Sequence, residues 1–265
     1  MAAPKNKFKE ALKSKKLQLG FWQSLASIST CEISSQIGFD WLLIDGEHAP
    51  NDIGDIANLL RVIDPSDSHA VVRVVAGVPH IIKQVLDIGA QTILVPMVDT
   101  AEQAREMVKA VRYPPDGIRG AALVTRAAHY GSSENYAPTA NEEICLLVQA
   151  ESKTAIENLD EICSVEGVDG VFIGPFDLAA SMGFVEDPNN VVVQETIENA
   201  ISRIVSSGKA AGILMLDEAR AKKYMEMGSL FVAVGTDVST FSNASKKLLA
   251  NYRNQSFSSN DKSVY

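Results

Sequence analysis

The chain lacks the signatures of several large protein classes. Its three cysteines, Cys31, Cys145 and Cys163, show neither CxxC nor Cys/His spacing, which argues against a disulfide framework and a thiolate zinc site. They read as small packing residues in a reducing compartment. No apolar run reaches the roughly 18 residues of a membrane span. The basic opening MAAPKNKFKEALKSKK has no apolar segment of the kind a signal peptide carries, so a soluble, cytoplasmic protein is expected. Positive charge is also short: 24 Lys and Arg against 33 Asp and Glu give a net charge of −9, so nucleic acid is not an expected partner. No GxGxxG follows the first strand candidate, which weighs against a doubly wound dinucleotide-binding sheet. No compositional break marks a linker, and 265 residues with 46% hydrophobic content can bury one large core.

What is present is a repeating alternation of short apolar runs and amphipathic runs. Strand candidates fall at residues 17–22, 41–44, 70–75, 92–95, 144–148, 170–173, 211–215 and 230–234. Between them, helical spacing and cap signals predict helices. Ser29 is expected to cap a helix through Ile37 that Gly38 closes, Pro79 to open one that ends at Gly89, and Ile156, Leu159, Ile162 and Cys163 to share one helical stripe. Eight such repeats predict a (β/α)8 TIM barrel over residues 1–253, with a polar tail at 254–265 expected to be disordered. Residues 112–138, RYPPDGIRGAALVTRAAHYGSSENYAP, are too long and too rich in turn residues for a plain connector.

In a parallel barrel all strand C-termini share one mouth, so the residues just beyond each strand are the candidates for chemistry. Asp45 and His48 follow the second strand, Arg73 lies in the third, Gln149 and Glu151 follow the fifth, and Asp177 follows the sixth. Two facing carboxylates must share a proton or hold a cation, and two acids completed by water suit Mg²⁺ or Mn²⁺ better than Zn²⁺. The competing reading is that Glu151 and Asp177 cap the helices that follow them. Arg73, inside VVRVV, requires an anionic partner, either a substrate or a structural acid. A cation, an arginine and a histidine base together can stabilise an enolate. A Schiff-base aldolase would need a lysine at a strand C-terminus, whereas Lys209 precedes a strand and Lys153 opens a helix.

The ordered motifs GFDWLLIDGEHAPND, VVRV, VLDIGAQTILVPMV, RYPPDGIRG, LVQAES, VEGVDGVFIGPFDLAASMG and LFVAVGTD cover residues 17–249 and resemble the metal-dependent (class II) pyruvate aldolases. These are the 4-hydroxy-2-oxoheptanedioate and 2-dehydro-3-deoxyglucarate aldolases, with macrophomate synthase as a relative. The resemblance implies a usually hexameric barrel with Mg²⁺, Mn²⁺ or Co²⁺ on the residues matching Glu151 and Asp177. It assigns His48 as general base and Arg73 as the group stabilising the enolate, with Gln149 and the backbone at Phe176 and Asp177 on a 2-oxo acid substrate. It also implies that Asp87 raises the basicity of the histidine. Because Asp87 ends a helix at the far rim, it could do so only from a neighbouring subunit, and Asp45 is the local rival for that role or for ordering metal-bound water. Phe176 stands where a member of the resembled family has alanine, and its larger side chain is expected to narrow the pocket. The C-terminal helix, with Leu248, Leu249 and Tyr252 in an apolar stripe, is expected either to pack on a neighbour or to cover its own barrel. The expected reaction is cleavage of a 4-hydroxy-2-oxo acid to pyruvate and an aldehyde. Alternatives are oxaloacetate decarboxylation or macrophomate-synthase-like chemistry through the same enolate, and an inactive metabolite-binding barrel.

Overall fold

In the computed structural model, which describes residues 2–253, eight parallel strands close in sequence order into a barrel. They are β1 (Gln18–Gln23), β2 (Trp41–Asp45), β3 (His69–Arg73), β4 (Thr92–Val95), β5 (Cys145–Ala150), β6 (Gly170–Ile173), β7 (Ala210–Leu214) and β8 (Phe231–Thr236). Strand periodicity of two sorts their side chains. Leu42, Ile44, Val72, Ile93, Val95, Leu146, Val148, Val171, Ile213 and Val232 face the helix layer. Trp22, Trp41, Leu43, Val71, Leu94, Leu147, Phe172, Leu214 and Phe231 fill the interior, so the barrel is a packed core and no pore. Large and small residues alternate inside it. A Cβ on Gly212 would lie 2.1 Å from the Phe231 ring, and one on Gly20 would lie 2.1 Å from that of Trp41.

The helices form where caps and stripes coincide. Thr100 and Gln103 build a capping box on helix Ala101–Val111, and Gly38 and Gly89 close their helices with left-handed backbone. The cap of helix Ile28–Ile37 is Ser27, whose hydroxyl accepts from Thr30 N–H, and not Ser29. The expected single helix after β5 is two, Lys153–Glu157 and Leu159–Ser164, broken at Asn158, whose amide donates to Asp99 O. The long segment after Val111 holds a short 3₁₀ turn, Arg126–Gly131, and a further helix, Tyr136–Glu143, packed beside Ala3, Tyr113 and Ala128. Among the described residues no helix is long and apolar enough to cross a membrane. The tail expected to be disordered lies outside the described residues.

The lower end of the barrel is plugged by helix Lys7–Lys13. Phe8 meets Trp41 and Phe231 edge-on at 5.9 and 6.0 Å and stacks on His69 at 5.5 Å. The His69 ring also shares a 2.7 Å hydrogen bond with Thr92 Oγ1. Burial, reinforced by the Lys7 charge, pushes its pKa down to about 4. An imidazole in the unfolded chain takes a proton near pH 6.5, and the folded chain refuses that proton until about pH 4. His69 therefore leaves stability intact above pH 6.5 and erodes it as the pH falls from there. Between pH 7 and pH 5 the loss from this group is about 2 kcal/mol. Urea unfolding at the two pH values should show His69→Gln losing less stability than the wild type by about that amount. Equal losses in the two proteins would place the acid sensitivity elsewhere.

Candidate active site

The interior positions that are hydrophobic in mid-barrel turn polar one step higher. Leu43 is followed inward by Asp45, Val71 by Arg73 and Leu147 by Gln149, while Glu151 lies just past the end of β5. The β2–β3 register sets Asp45 directly beside Arg73, although the two are 28 residues apart. Arg73 Nε donates to Asp45 Oδ1 at 2.9 Å and Nη2 to Asp45 Oδ2 at 2.7 Å, while Nη1 lies 2.8 Å from Glu47 Oε2. Its guanidinium carbon stands 5.0 Å from the Trp22 ring centre. Of the five guanidinium N–H groups two donate to Asp45, and because buried Glu47 Oε2 has no hydrogen-bond partner among the described residues, three are left unbonded.

Asp45 is the structural acid that Arg73 needed. Oδ1 also accepts the backbone N–H groups of Glu47 and His48 at 3.0 and 3.2 Å, and Oδ2 accepts the Trp22 indole N–H at 3.1 Å. Burial works to raise its pKa, but the Arg73 bonds and charge, with Trp22 and Glu47, outweigh burial and hold the carboxyl below its usual value. With both oxygens filled, Asp45 has no capacity left for a metal-bound water, and it touches the backbone of His48 instead of its ring. The imidazole, 55% exposed at the rim, lies with Nε2 3.8 Å from Glu47 Oε2. Glu47 is thus the acid beside both Arg73 and His48, a role that sequence reasoning did not assign. Burial pushes its pKa up against the pull of Arg73. The only sequence signal was its place in the crowded loop after β2.

Across the mouth, Glu151 Oε1 accepts the Met97 N–H at 2.9 Å, and Oε2 takes a short hydrogen bond from the Gln149 amide. Met97 holds left-handed backbone, φ 56°, to present that N–H, a strain of the sort that concentrates at functional sites. Gly174 makes room for the carboxylate, since a Cβ there would lie 2.3 Å from Glu151 Oε2. Burial first, and then the nearby charges of Asp177 and Glu47, push Glu151 up to about 7 against the Gln149 and Met97 bonds. Buried Gln149 Oε1 has no partner among the described residues. Asp177 and Phe176 sit in the first turn of helix Pro175–Ser181, where the first backbone bond is Leu178 N–H to Gly174 O, leaving the Phe176 and Asp177 N–H groups outside the helical ladder.

Between them lies a cavity of about 310 Å³ lined by Trp22, His48, Arg73, Gln149, Phe172 and Asp177, with Gly174, Pro175, Phe176 and Leu214 on its wall; Asp45, Glu47 and Glu151 do not line it. Of the four acids around this mouth, Asp45 and Glu47 meet Arg73, Asp177 lines the cavity and Glu151 lies close enough to Asp177 and Glu47 to feel their charges, and that excess of negative charge over one guanidinium fits a divalent cation held by oxygen donors. Glu151 and Asp177 are the acids of the far side of the mouth, since Asp45 and Glu47 are engaged by Arg73. Among the described residues no group of three or more His, Cys, Asp or Glu gathers in a geometry that could hold a metal ion. Lys209 is spent on the carbonyls of Val165 and Val168, away from the cavity. Asp87 is not in this cavity. It ends helix Pro79–Asp87 and accepts from Arg119 Nη2 at 2.8 Å, so its own barrel does not bring it to His48.

Residues 18–244 match the family described as HpcH/HpaI aldolase/citrate lyase. The chain is 52% identical to a hydroxypyruvate/pyruvate aldolase of Cupriavidus necator, covering 94% of this chain and 93% of that protein. It is also 52% identical to a 2-keto-3-deoxy-L-rhamnonate aldolase of Klebsiella pneumoniae, covering 98% of each. The crystal structure of an HpcH/HpaI aldolase/citrate lyase family protein from Burkholderia cenocepacia superposes with a TM-score of 0.91 at 38% identity, covering 94% of this chain and 99% of that one. Similar to named aldolases over nearly its whole length and built on the same barrel, this chain belongs to the HpcH/HpaI aldolase/citrate lyase family, as an aldolase and hence a carbon–carbon lyase.

Proposed function

We propose that the protein is a divalent-metal-dependent aldolase that splits a 4-hydroxy-2-oxo acid into an aldehyde and pyruvate, or hydroxypyruvate where the substrate carries a 3-hydroxyl. The observation that carries this reading is that four carboxylates gather at the mouth, with two of them on buried Arg73 and two beyond it, beside an exposed histidine. Glu151 and Asp177 would hold Mg²⁺ or Mn²⁺, with Co²⁺ as a substitute, and the bound cation would supply Lewis-acid polarisation of the 2-oxo group. His48 takes the proton of the 4-hydroxyl, whose oxygen pair forms the aldehyde carbonyl as the C3–C4 bond breaks. The electrons of that bond pass to the 2-oxo oxygen, giving the enolate that the free Arg73 N–H groups stabilise. Protonation at C3 then yields the 2-oxo acid. Gln149 and the N–H groups of Phe176 and Asp177 hold the substrate carboxylate. Pyruvate release should stop on complete chelation and return with Mn²⁺. Calorimetric Mn²⁺ titration should find no site in Glu151→Ala or Asp177→Ala. His48→Ala should keep the site yet turn over about a hundredfold or more slowly, the range of a lost general base. Activity that survives chelation, or tight Mn²⁺ binding by Glu151→Ala, would overturn the metal assignment, and turnover of oxaloacetate alone would make the enzyme a decarboxylase.

The same reading extends to assembly as a cytoplasmic homo-oligomer, a hexamer by resemblance. Asp87 keeps Oδ2 without a hydrogen bond among the described residues, which supports a role toward the histidine of a facing copy. Helix Asp237–Arg253 exposes Phe241, Leu248, Leu249 and Tyr252, while Ile33 and Ile37 on helix Ile28–Ile37 are bare as well. An apolar set of this kind supports packing on a neighbour over packing on its own barrel. Light scattering should give several chains for the wild type. In the double variant Leu249→Asp, Tyr252→Asp, mass and turnover should fall together, whereas a folded, fully active monomer would refute a shared site.

A further inference from the structure

Glu151 is the more deeply buried of the two acids assigned to the cation, and the segments on either side of it are fastened to one another. On one side lie residues 96–99, which follow β4. Val98 N–H donates to Gln149 O at 3.1 Å and so carries the β4–β5 pairing past the end of the strand. Met97 N–H meets Glu151 Oε1 at 2.9 Å from left-handed backbone. Glycine takes that backbone without strain, so a methionine there is held by the contacts around it. Asp99, two residues on, is tied at three points. Its Oδ1 accepts the Ser152 hydroxyl, its carbonyl accepts the Asn158 amide at 2.9 Å, and its N–H donates to Gln103 Oε1 at 2.7 Å.

Ser152, the residue after Glu151, uses its hydroxyl twice. The oxygen accepts Ala155 N–H at 2.9 Å as the cap of helix Lys153–Glu157, and the hydrogen goes to Asp99. On the other side, Lys153 N–H donates at 3.0 Å to Ser181 Oγ, at the end of helix Pro175–Ser181. Ser181 stands four residues from Asp177 and therefore on the same face of that helix. Glu151 is thus held between the loop after β4 and the helix that carries Asp177. Capping alone accounts for the Ala155 bond. It does not account for the donation to Asp99, 53 residues away in sequence, or for the break at Asn158 that lets its amide reach the same aspartate.

We propose that Asp99 is a positioning residue for Glu151. Through Ser152 it fixes the backbone next to the carboxylate, and through its own loop it keeps the Met97 N–H on Oε1, so the side chain is aimed before a cation arrives. A ligand that is already aimed loses little freedom on binding, and the affinity of the site rises accordingly. This rests on the metal-dependent reading above and adds to it residues that act through Glu151 without touching the cation.

The test is Mn²⁺ titration of the full chain, followed by the electron paramagnetic resonance signal of free Mn²⁺, which does not depend on turnover. Asp99→Ala should weaken binding about ten- to a hundredfold, the range for lost partners of a metal ligand, and Ser152→Ala should do likewise. The double variant should bind about as weakly as the weaker single one, because both changes remove the same hydrogen bond. Asp99→Asn keeps an acceptor for the hydroxyl and should stay within about threefold of the wild type. An aspartate that served the fold alone would lower the metal-free Tm and leave Kd unmoved. That result, in folded Asp99→Ala or Ser152→Ala protein, would overturn the inference while the metal reading stands, as would additive losses in the double variant. Asp99→Asn binding as weakly as Asp99→Ala would also overturn it, by assigning the effect to the charge of Asp99. No Mn²⁺ binding by the wild type would defeat the metal reading and this inference together.

Discussion

One guanidinium among four carboxylates governs the mouth of this barrel. Arg73 is buried, and a buried arginine survives only if its charge is met. Asp45 meets it through two parallel hydrogen bonds and Glu47 through a third contact. The pairing of Asp45 in turn fixes the loop after β2, because its Oδ1 receives the N–H groups of Glu47 and His48. The backbone positions of Glu47 and His48 and the setting of the arginine fork thus depend on the same ion pair. Among the described residues Glu151 and Asp177 have no basic partner, and that imbalance is what the proposed cation would offset.

The barrel below makes this possible by being apolar and tightly filled. Trp22, Phe172 and Phe231 pack as neighbouring tilted rings across the interior, with Trp41 and Phe8 beneath them. Glycines at inward positions accept the rings, so the floor under the polar layer does not yield. Electrostatic interactions above such a floor act in a medium of low polarisability, where an unmatched carboxylate is costly and a matched one is strong. Glu151 shows the cost directly in a pKa raised by burial. The strained backbone at Met97, held so that its N–H meets this carboxylate, is a second sign that the site is maintained against local preference.

The strands were legible wherever β-branched runs were bounded by turn residues, as at Thr92–Val95 and Gly170–Ile173, and their order along the chain implied the barrel. Strand ends then put His48, Arg73, Gln149, Glu151 and Asp177 at one mouth without any knowledge of contacts. Sequence reading failed where tertiary packing decided the outcome. Helix Tyr136–Glu143 contains Pro138 and only a thin apolar stripe, and it is held by Ala3, Tyr113 and Ala128 from distant parts of the chain. Asn158 splits one helical stripe in two because its amide reaches Asp99 O. In the site, Glu47 carried no signal to separate it from a solvated loop acid, and the Met97 N–H is backbone and so invisible to residue patterns. Proximity in sequence makes Asp45 a candidate partner of the histidine, whereas the β2–β3 register delivers it to Arg73.

The central claim is that the mouth is built around a missing positive charge, and thermal unfolding of the wild type and Asp177→Asn, each stripped of metal and then given Mn²⁺, tests it most directly. Removing one carboxylate should relieve repulsion, so the metal-free variant should melt above the metal-free wild type. At about a hundred times Kd, Mn²⁺ should raise the wild-type Tm by roughly 5–10 °C and reverse the order, with little effect on the variant. A wild type whose Tm does not move with Mn²⁺, or a metal-free variant less stable than the metal-free wild type, would contradict the account.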